Sequence, residues 1–272
     1  MVHRPWQNQK KETYNLLLST YNLTMEVHHH PHVEKKNFIE YFLEFLMIFL
    51  AVTLGFVAEN IREGVSDNAK GKEYVSALIQ NLKDDTTSMN NTIEENERKL
   101  SKLKKLISFS HQDLSPAQVR QDLYRICGSS VTYYSLFKNN DATIQQLKNS
   151  GGLRFIRKQH AADSIAHYDV ELTGLYGAAA LYTHANDLGI AASQEMVDYS
   201  IYYDSSYFKD GEFTSKPLPL LTSDPVKQKI FFNAVTFEIG ATINYLNSLY
   251  TRKPYAIRLL KFLKKEYQLE NE

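Results

Sequence analysis

Cysteine, tryptophan, proline and glycine are all scarce: one, one, seven and eleven of them among 272 residues. A lone thiol, Cys127, excludes an internal disulfide framework and a metal site built from cysteines, and it leaves the redox compartment open. Beside Leu123 and Ile126 it reads as a small buried hydrophobe. So few prolines and glycines, with charges of mixed sign spread along the chain, mark a helical composition. An excess of one charge is also missing, since 31 Lys+Arg balance 31 Asp+Glu; no global field draws the chain to nucleic acid, and none is expected as a partner. No His-Glu-x-x-His pair, phosphate-cradling glycine loop or nucleophile elbow occurs, so neither catalysis nor a cofactor is expected.

What is abundant is hydrocarbon in one place. Residues Phe38 to Ala58 are almost continuously apolar. At ~1.5 Å per residue, a helix of about 20 residues matches the roughly 30 Å core of a bilayer. A cleavable signal peptide would lie nearer the N-terminus and end in a small-residue cleavage site. Here the helical pattern runs on through Glu59 to Glu63, so the reading is an uncleaved signal anchor over 38–63, in the inner cell membrane and contacting its lipid. Bases close to the span nearly tie, with Lys35 and Lys36 before it and Arg62, Lys70 and Lys72 after it. Arg4, Lys10 and Lys11 tip the count toward a cytoplasmic N-terminus and a periplasmic C-terminal domain.

Glu40 and Glu44 are the odd residues of the span, placed i, i+4 on one helical face. Two readings fit them: headgroup-level carboxylates in the first turns, or a contact with a partner helix as in an accessory subunit of a membrane enzyme or transporter. Ala51 and Gly55 form a small-x-x-x-small pair that would admit a second helix.

The leader, residues 1–37, carries His28, His29, His30 and His32. Clustered imidazoles can bind zinc, nickel or copper, which makes a metal-handling protein the alternative function, although Pro31 and the missing carboxylates specify no geometry. Residues 1–24 match nothing else in the design, and Met25 is a candidate start.

Beyond the anchor, residues 64–272 read as one helical domain. Val75, Ile79, Leu82, Thr86, Met89, Ile93, Asn96, Leu100, Leu103 and Ile107 alternate spacings of four and three, the repeat of a long stalk helix that packs as a coiled coil or along a bundle. Over residues 73–109 such a helix is about 55 Å long. Ser115-Pro116 reads as an N-cap with proline at the first helical position. Asn140 or Asp141 caps a short helix that stops at Gly151-Gly152. A helical stretch follows from Arg157 to about Tyr199, with Gly174, Gly177 and Gly189 as break points. The loop 203–223 leads to a final helix from Asp224-Pro225 with a kink at Pro254. No segment alternates as a strand. The expected fold is all-α: a single transmembrane helix, a long stalk helix and an antiparallel helical bundle.

Two stretches are candidates for chemistry or recognition. His160, Ser164, His167 and Glu171 share one helical face beside Asp163, either as a metal or small-molecule stripe or as a polar outer surface. Tyr199, Tyr202, Tyr203 and Tyr207 precede the long loop, either as a recognition surface or as core packing.

The run MEVHHHPHVEKKNFIEYFLEFLMIFLAVTLGFVAENIRE, Met25 through Glu63, resembles the start of an uncharacterised single-pass membrane protein family of Bacteroidota. The stretch ATIQQLKNSGGLRFIRKQHAADSIAHYD and the Leu-Lys-Lys-Glu-Tyr ending are similar to the same group. The resemblance implies one membrane helix followed by a helical domain, and it assigns no activity and no catalytic residues. The functional expectation is a membrane-anchored interaction or sensory-type module that works through a protein partner or as a homo-oligomer.

Overall fold

A computed structural model describes residues 37–269. The described chain is all-α apart from one two-residue hairpin. Helix α1, Phe38–Ile107, ends in a 3-10 turn at Ser108–His111. Then come α2, Ala117–Ile126, a widened turn at Cys127–Val131, α3, Ala142–Asn149, and a 3-10 turn at Gly152–Phe155. Helix α4 is Gln159–Gln194, the hairpin is β1 Phe208–Lys209 with β2 Glu212–Phe213, and α5 is Pro225–Tyr267. Two compact units divide between Ala58 and Glu59.

Among the described residues of the first unit, the apolar side chains of α1 lie largely exposed. Its most apolar window has mean hydropathy 2.2 and is 0% buried. The helix is long and apolar enough to cross a membrane by length and composition.

In the second unit, three long helices enclose the core. Paired side chains fix their directions. Lys158 meets Glu266, Arg252 meets Glu171 and Lys227 meets Glu195, so α4 and α5 are antiparallel. Asp85 meets Tyr168 and Asn96 meets Tyr182, so α1 and α4 run in parallel. The chain therefore has to travel back between them, and residues 133–157 do so along α1: Ser135 lies by Asn96, Asn140 by Asp85 and Thr143 by Asn81.

The buried column of α1 is a strict alternation of fours and threes: Gly71, Val75, Leu78, Leu82, Asp85, Met89, Thr92, Asn96, Lys99, Leu103, Leu106. Half of the expected seam is thereby shifted one residue toward the N-terminus. Leu78, Asp85, Thr92, Lys99 and Leu106 take the places assigned to Ile79, Thr86, Ile93, Leu100 and Ile107, although Ile79 and Ile93 are buried as well. The sequence reading follows the apolar column, whereas the fold buries a partly polar one.

Other boundaries move for local reasons. Helix α2 begins at Ala117 with Pro116 itself at the cap, its ψ of 136° extended, because proline cannot donate to the first turn and is equally at home just before it. Helix α4 runs unbroken through Gly174, Gly177 and Gly189, and α5 runs through Pro254. The hairpin turns at Asp210 and Gly211, both with positive φ, 52° and 84°, the backbone that favours Asp-Gly in a two-residue turn.

Candidate functional site: a polar layer in the bundle

Two apolar clusters make up the core. One gathers Val75–Ile93 of α1, Ala161–Tyr182 of α4 and Tyr245–Tyr267 of α5, and the other gathers Leu103 and Leu106 with Leu123–Val131, Met196–Ile201 and Phe231–Val235. Between them on each long helix lies a buried polar side chain: Asn96 and Lys99 on α1, Asn186 on α4, Glu238 on α5. These four form a polar layer across the bundle.

The layer follows from the return path of the chain. Residues 133–141 belong to no helix or strand, so their backbone groups lack the partners that regular structure provides, and burying them unpaired would be costly. Side chains of the helices supply what is missing. Lys99 Nζ donates to the carbonyl of Tyr133 at 2.7 Å, and Asn96 Nδ2 donates to that of Ser135 at 2.9 Å. The Phe137 N–H donates to the Tyr245 hydroxyl at 2.7 Å, and the Asn140 N–H to Asp85 Oδ1 at 2.7 Å. Asn81 Nδ2 reaches Thr143 Oγ1 at 2.8 Å. Asp85, Asn96 and Lys99 of the α1 column thus form a row of brackets for an extended segment, joined by Tyr245 of α5.

Lys99 has the most connections. Besides Tyr133 it donates to Asn186 Oδ1 and lies 2.7 Å from Glu238 Oε1, and its Nζ stands 5.0 Å from the centre of the Tyr182 ring. Tyr182 donates to Asn96 Oδ1 and stacks on Tyr245 at 5.0 Å. The Lys99 and Glu238 side chains are 2% and 0% exposed. Desolvation works against both charges: burial pushes the Glu238 carboxyl up to about 7 although the Lys99 ammonium opposes this, and the same burial lowers Lys99. Glu238 Oε2 and Asn186 Nδ2 are left without a hydrogen-bond partner. Glu238 Oε2 occupies the space over Gly189 that a β-carbon there would need, which is why a glycine sits inside α4. The Cys127 thiol, fully buried in the second cluster, is held protonated by desolvation.

The other buried acid, Asp85, accepts from the Asn140 N–H and, at 2.9 Å, from the Tyr168 hydroxyl. Desolvation raises its carboxyl above the usual range while both hydrogen bonds pull it down.

Closed to solvent, this layer can fix register and hold charge, and it offers no nucleophile to a substrate. Of its members, Asn96 stands in the heptad column read from sequence, whereas Lys99, Asn186 and Glu238 were not singled out. Asp85 and Lys99 carried a usable signal, a charge recurring in a heptad column; Glu238 and Asn186 carried none.

The residues singled out earlier lie elsewhere. His160 and His167 are exposed on α4, and His167 Nε2 is 4.0 Å from Glu171. No group of three or more His, Cys, Asp or Glu that could hold a metal occurs among the described residues. Tyr199, Tyr202 and Tyr207 are half-buried, while Tyr203 is 94% exposed. Tyr199 bonds Ser193 at 2.8 Å and Tyr202 donates to the Tyr124 carbonyl. Glu40 is exposed, Glu44 half-buried, and a β-carbon on Gly55 would meet nothing within 4 Å, with Ala51 exposed one turn before it. His28, His29, His30 and His32 lie outside the described residues. No family model, curated protein or solved structure matches the chain.

Proposed function

We propose that the chain is a single-pass membrane anchor carrying a helical interaction module, with no catalytic role of its own. The observation that carries this is the contrast along α1. Its 38–58 segment exposes a window of mean hydropathy 2.2, whereas from Gly71 onward the same helix buries one heptad column in a well-filled core. Water would penalise the first arrangement severely, and a lipid core would not.

On this reading the anchored domain acts through what it binds, either a protein partner or a second copy. The orientation that goes with this reading is a cytoplasmic N-terminus and a C-terminal domain across the membrane.

Alkaline extraction of membranes tests the anchor. The full chain stays with the lipid, while Phe49→Arg combined with Leu54→Arg, each costing roughly 2.5–3.5 kcal/mol at a span centre, releases it or blocks insertion. Equal extraction of both chains would sink the anchor. Orientation is read by thiol labelling: Cys127, the single cysteine, is buried, so a Ser205→Cys change places one accessible thiol on the module. An impermeant reagent should reach it from the outer face.

A further inference from the structure

The exposed faces of the second unit differ sharply in charge. Beyond Gly71, helix α1 turns Asp84, Glu94, Glu97, Arg98, Lys102 and Lys105 to water, as a solvated helix does. Helices α4 and α5 do not. Residues 172–194 of α4 and 230–251 of α5 make 45 positions, for which the 23% charge of the whole chain implies about ten ionised side chains. They carry two, Asp187 and Glu238. Glu238 is buried against Lys99. Asp187 follows Tyr176 by eleven residues, about three turns, on the side of α4 where the Tyr176 hydroxyl reaches Asn139. The face that α4 and α5 present together is left without Asp, Glu, Lys or Arg over this length, and His184 is its one imidazole.

That face has relief. A groove of about 440 Å³ runs between the two helices, lined by Leu181, Asn233, Thr236, Phe237, Gly240 and Ala241. Leu181, Leu188 and Phe237 stand exposed along it, while β-carbons on Gly177 and Gly240 would meet nothing within 4 Å. Large side chains beside open glycines make the ridges and hollows by which one helix pair seats on another. Over 22 residues the face is about 33 Å long, and two helices 8–10 Å apart make it roughly 20 Å wide. The resulting ~650 Å² in plan falls within the roughly 600–1,000 Å² per partner of a standard interface.

The charges at its two ends decide what seats there. Lys227 of α5 pairs with Glu195 of α4 at one end, at 3.1 Å, and Arg252 of α5 lies 3.7 Å from Glu171 of α4 at the other. At both ends the acid is on α4 and the cation on α5. A two-fold axis along the groove would lay α4 of one copy over α5 of the other at the same level, so that acids face cations at each end. An axis across the helices would reverse one copy and stack α4 on α4, acid over acid and cation over cation, which like-charge repulsion opposes. A face uncharged within and patterned in this way at its ends complements itself, and in one orientation. Resting on the reading of this unit as an interaction module, we propose that α4 and α5 form an isologous interface with a second copy of the chain, the two running parallel about an axis along the groove.

The full chain in detergent provides the test. At about 100 μM, where even a micromolar association is nearly saturated, sedimentation should give a protein mass twice the 31.4 kDa of one chain. Gly240→Cys, with open space for its side chain, should be joined to its own counterpart by a short bis-maleimide, since Cys127 is buried. Asn233→Asp with Asn244→Asp, near-isosteric changes at exposed positions of α5, would place carboxylates inside the interface and should weaken association at least roughly a hundredfold, with loss of the link. Asn90→Asp with Asn91→Asp, the same change on the exposed face of α1, should leave mass and link intact. A monomer at this concentration overturns the interface, as does a link that survives the changes at Asn233 and Asn244 or is lost equally with those at Asn90 and Asn91. In native membranes a photoreactive benzoyl group carried at Phe237 should give an adduct of the chain with itself. An adduct with a different protein alone overturns the second copy and leaves the interaction module standing; no adduct of either kind overturns both.

Discussion

Asp85 and Glu238 are both buried carboxylates of one bundle, and they are satisfied in opposite ways. Asp85 has no cation and two donors, the Asn140 N–H and the Tyr168 hydroxyl. Glu238 has a cation, Lys99, and an Oε2 with no donor at all. The first acid is placed to cap a stretch of backbone. The second is better understood as a counter-charge, because the backbone contact in its layer is made by Lys99, which holds the Tyr133 carbonyl. One bracket on the extended segment is complete with two hydrogen bonds and no counter-charge; the other brings in a cation and then a carboxylate to balance it.

The comparison breaks most sharply at Lys99. Lys99→Met removes the cation and leaves Glu238 buried alone, which should cost about 3–5 kcal/mol, whereas Lys99→Met with Glu238→Leu should recover much of that loss. Urea unfolding of the full chain in detergent, followed by far-UV circular dichroism, compares the two. A double variant no more stable than the single one would show that Glu238 is not simply a counter-charge.

The same pair sets a pH dependence. The folded-state carboxyl of Glu238 lies above its ordinary value of 4.5, at about 7. The folded protein therefore holds this proton more tightly than the unfolded chain, and the stabilisation is complete below 4.5 and lost as pH rises through 7. Relative to Glu238→Gln, the unaltered chain should lose of the order of 1–3 kcal/mol across that window. Unfolding midpoints at both ends of the window measure it, and parallel curves for the two chains would mean that the carboxyl titrates as it does in water.

The longest elements were legible because periodicity over many turns survives individual exceptions: α1 and α5 lie where the apolar spacing puts them, and α4, Gln159–Gln194, falls within the stretch read as helical from Arg157 to about Tyr199. The seam of α1 was legible only in part. Pattern matching prefers Thr86 and Leu100 to Asp85 and Lys99, since a charge in a column normally points outward. Here it points inward because residues 133–141 have backbone groups to satisfy, and an extended segment has no period of its own to announce it. Gly189 shows the same limit. Inside a helix it reads as a break, and its actual role, clearance for Glu238, depends on a residue 49 positions away in the chain. The hairpin escaped notice because strands of two residues cannot alternate, although Asp210-Gly211 is a turn signal in its own right.

At Asp85 the effects should be smaller. Asp85→Asn keeps one oxygen for the Asn140 N–H but turns an amide nitrogen toward the Tyr168 hydroxyl, which must rotate to accept instead of donate. The cost should be about 1–3 kcal/mol, the range for a buried hydrogen bond left poorly made. Because Asp85 has no counter-charge to strand, no second substitution should rescue it as Glu238→Leu rescues Lys99→Met. A rescue by Tyr168→Phe larger than the single loss would place Asp85 in the same class as Glu238.

The smallest effect expected belongs to Tyr245, which brackets the middle of the segment by accepting from the Phe137 N–H. Tyr245→Phe removes that acceptor and keeps the ring stacked on Tyr182 at 5.0 Å, so apolar packing survives and about 1 kcal/mol of global stability should be lost. Hydrogen exchange resolves such a change better than unfolding does, since exchange reports local opening site by site. The Phe137 amide should exchange faster in the variant by more than its global loss explains. The Asn140 amide, still held by Asp85 at 2.7 Å, should follow the global loss alone. If both amides accelerate together, residues 133–141 open as one piece, and the two brackets are coupled rather than independent.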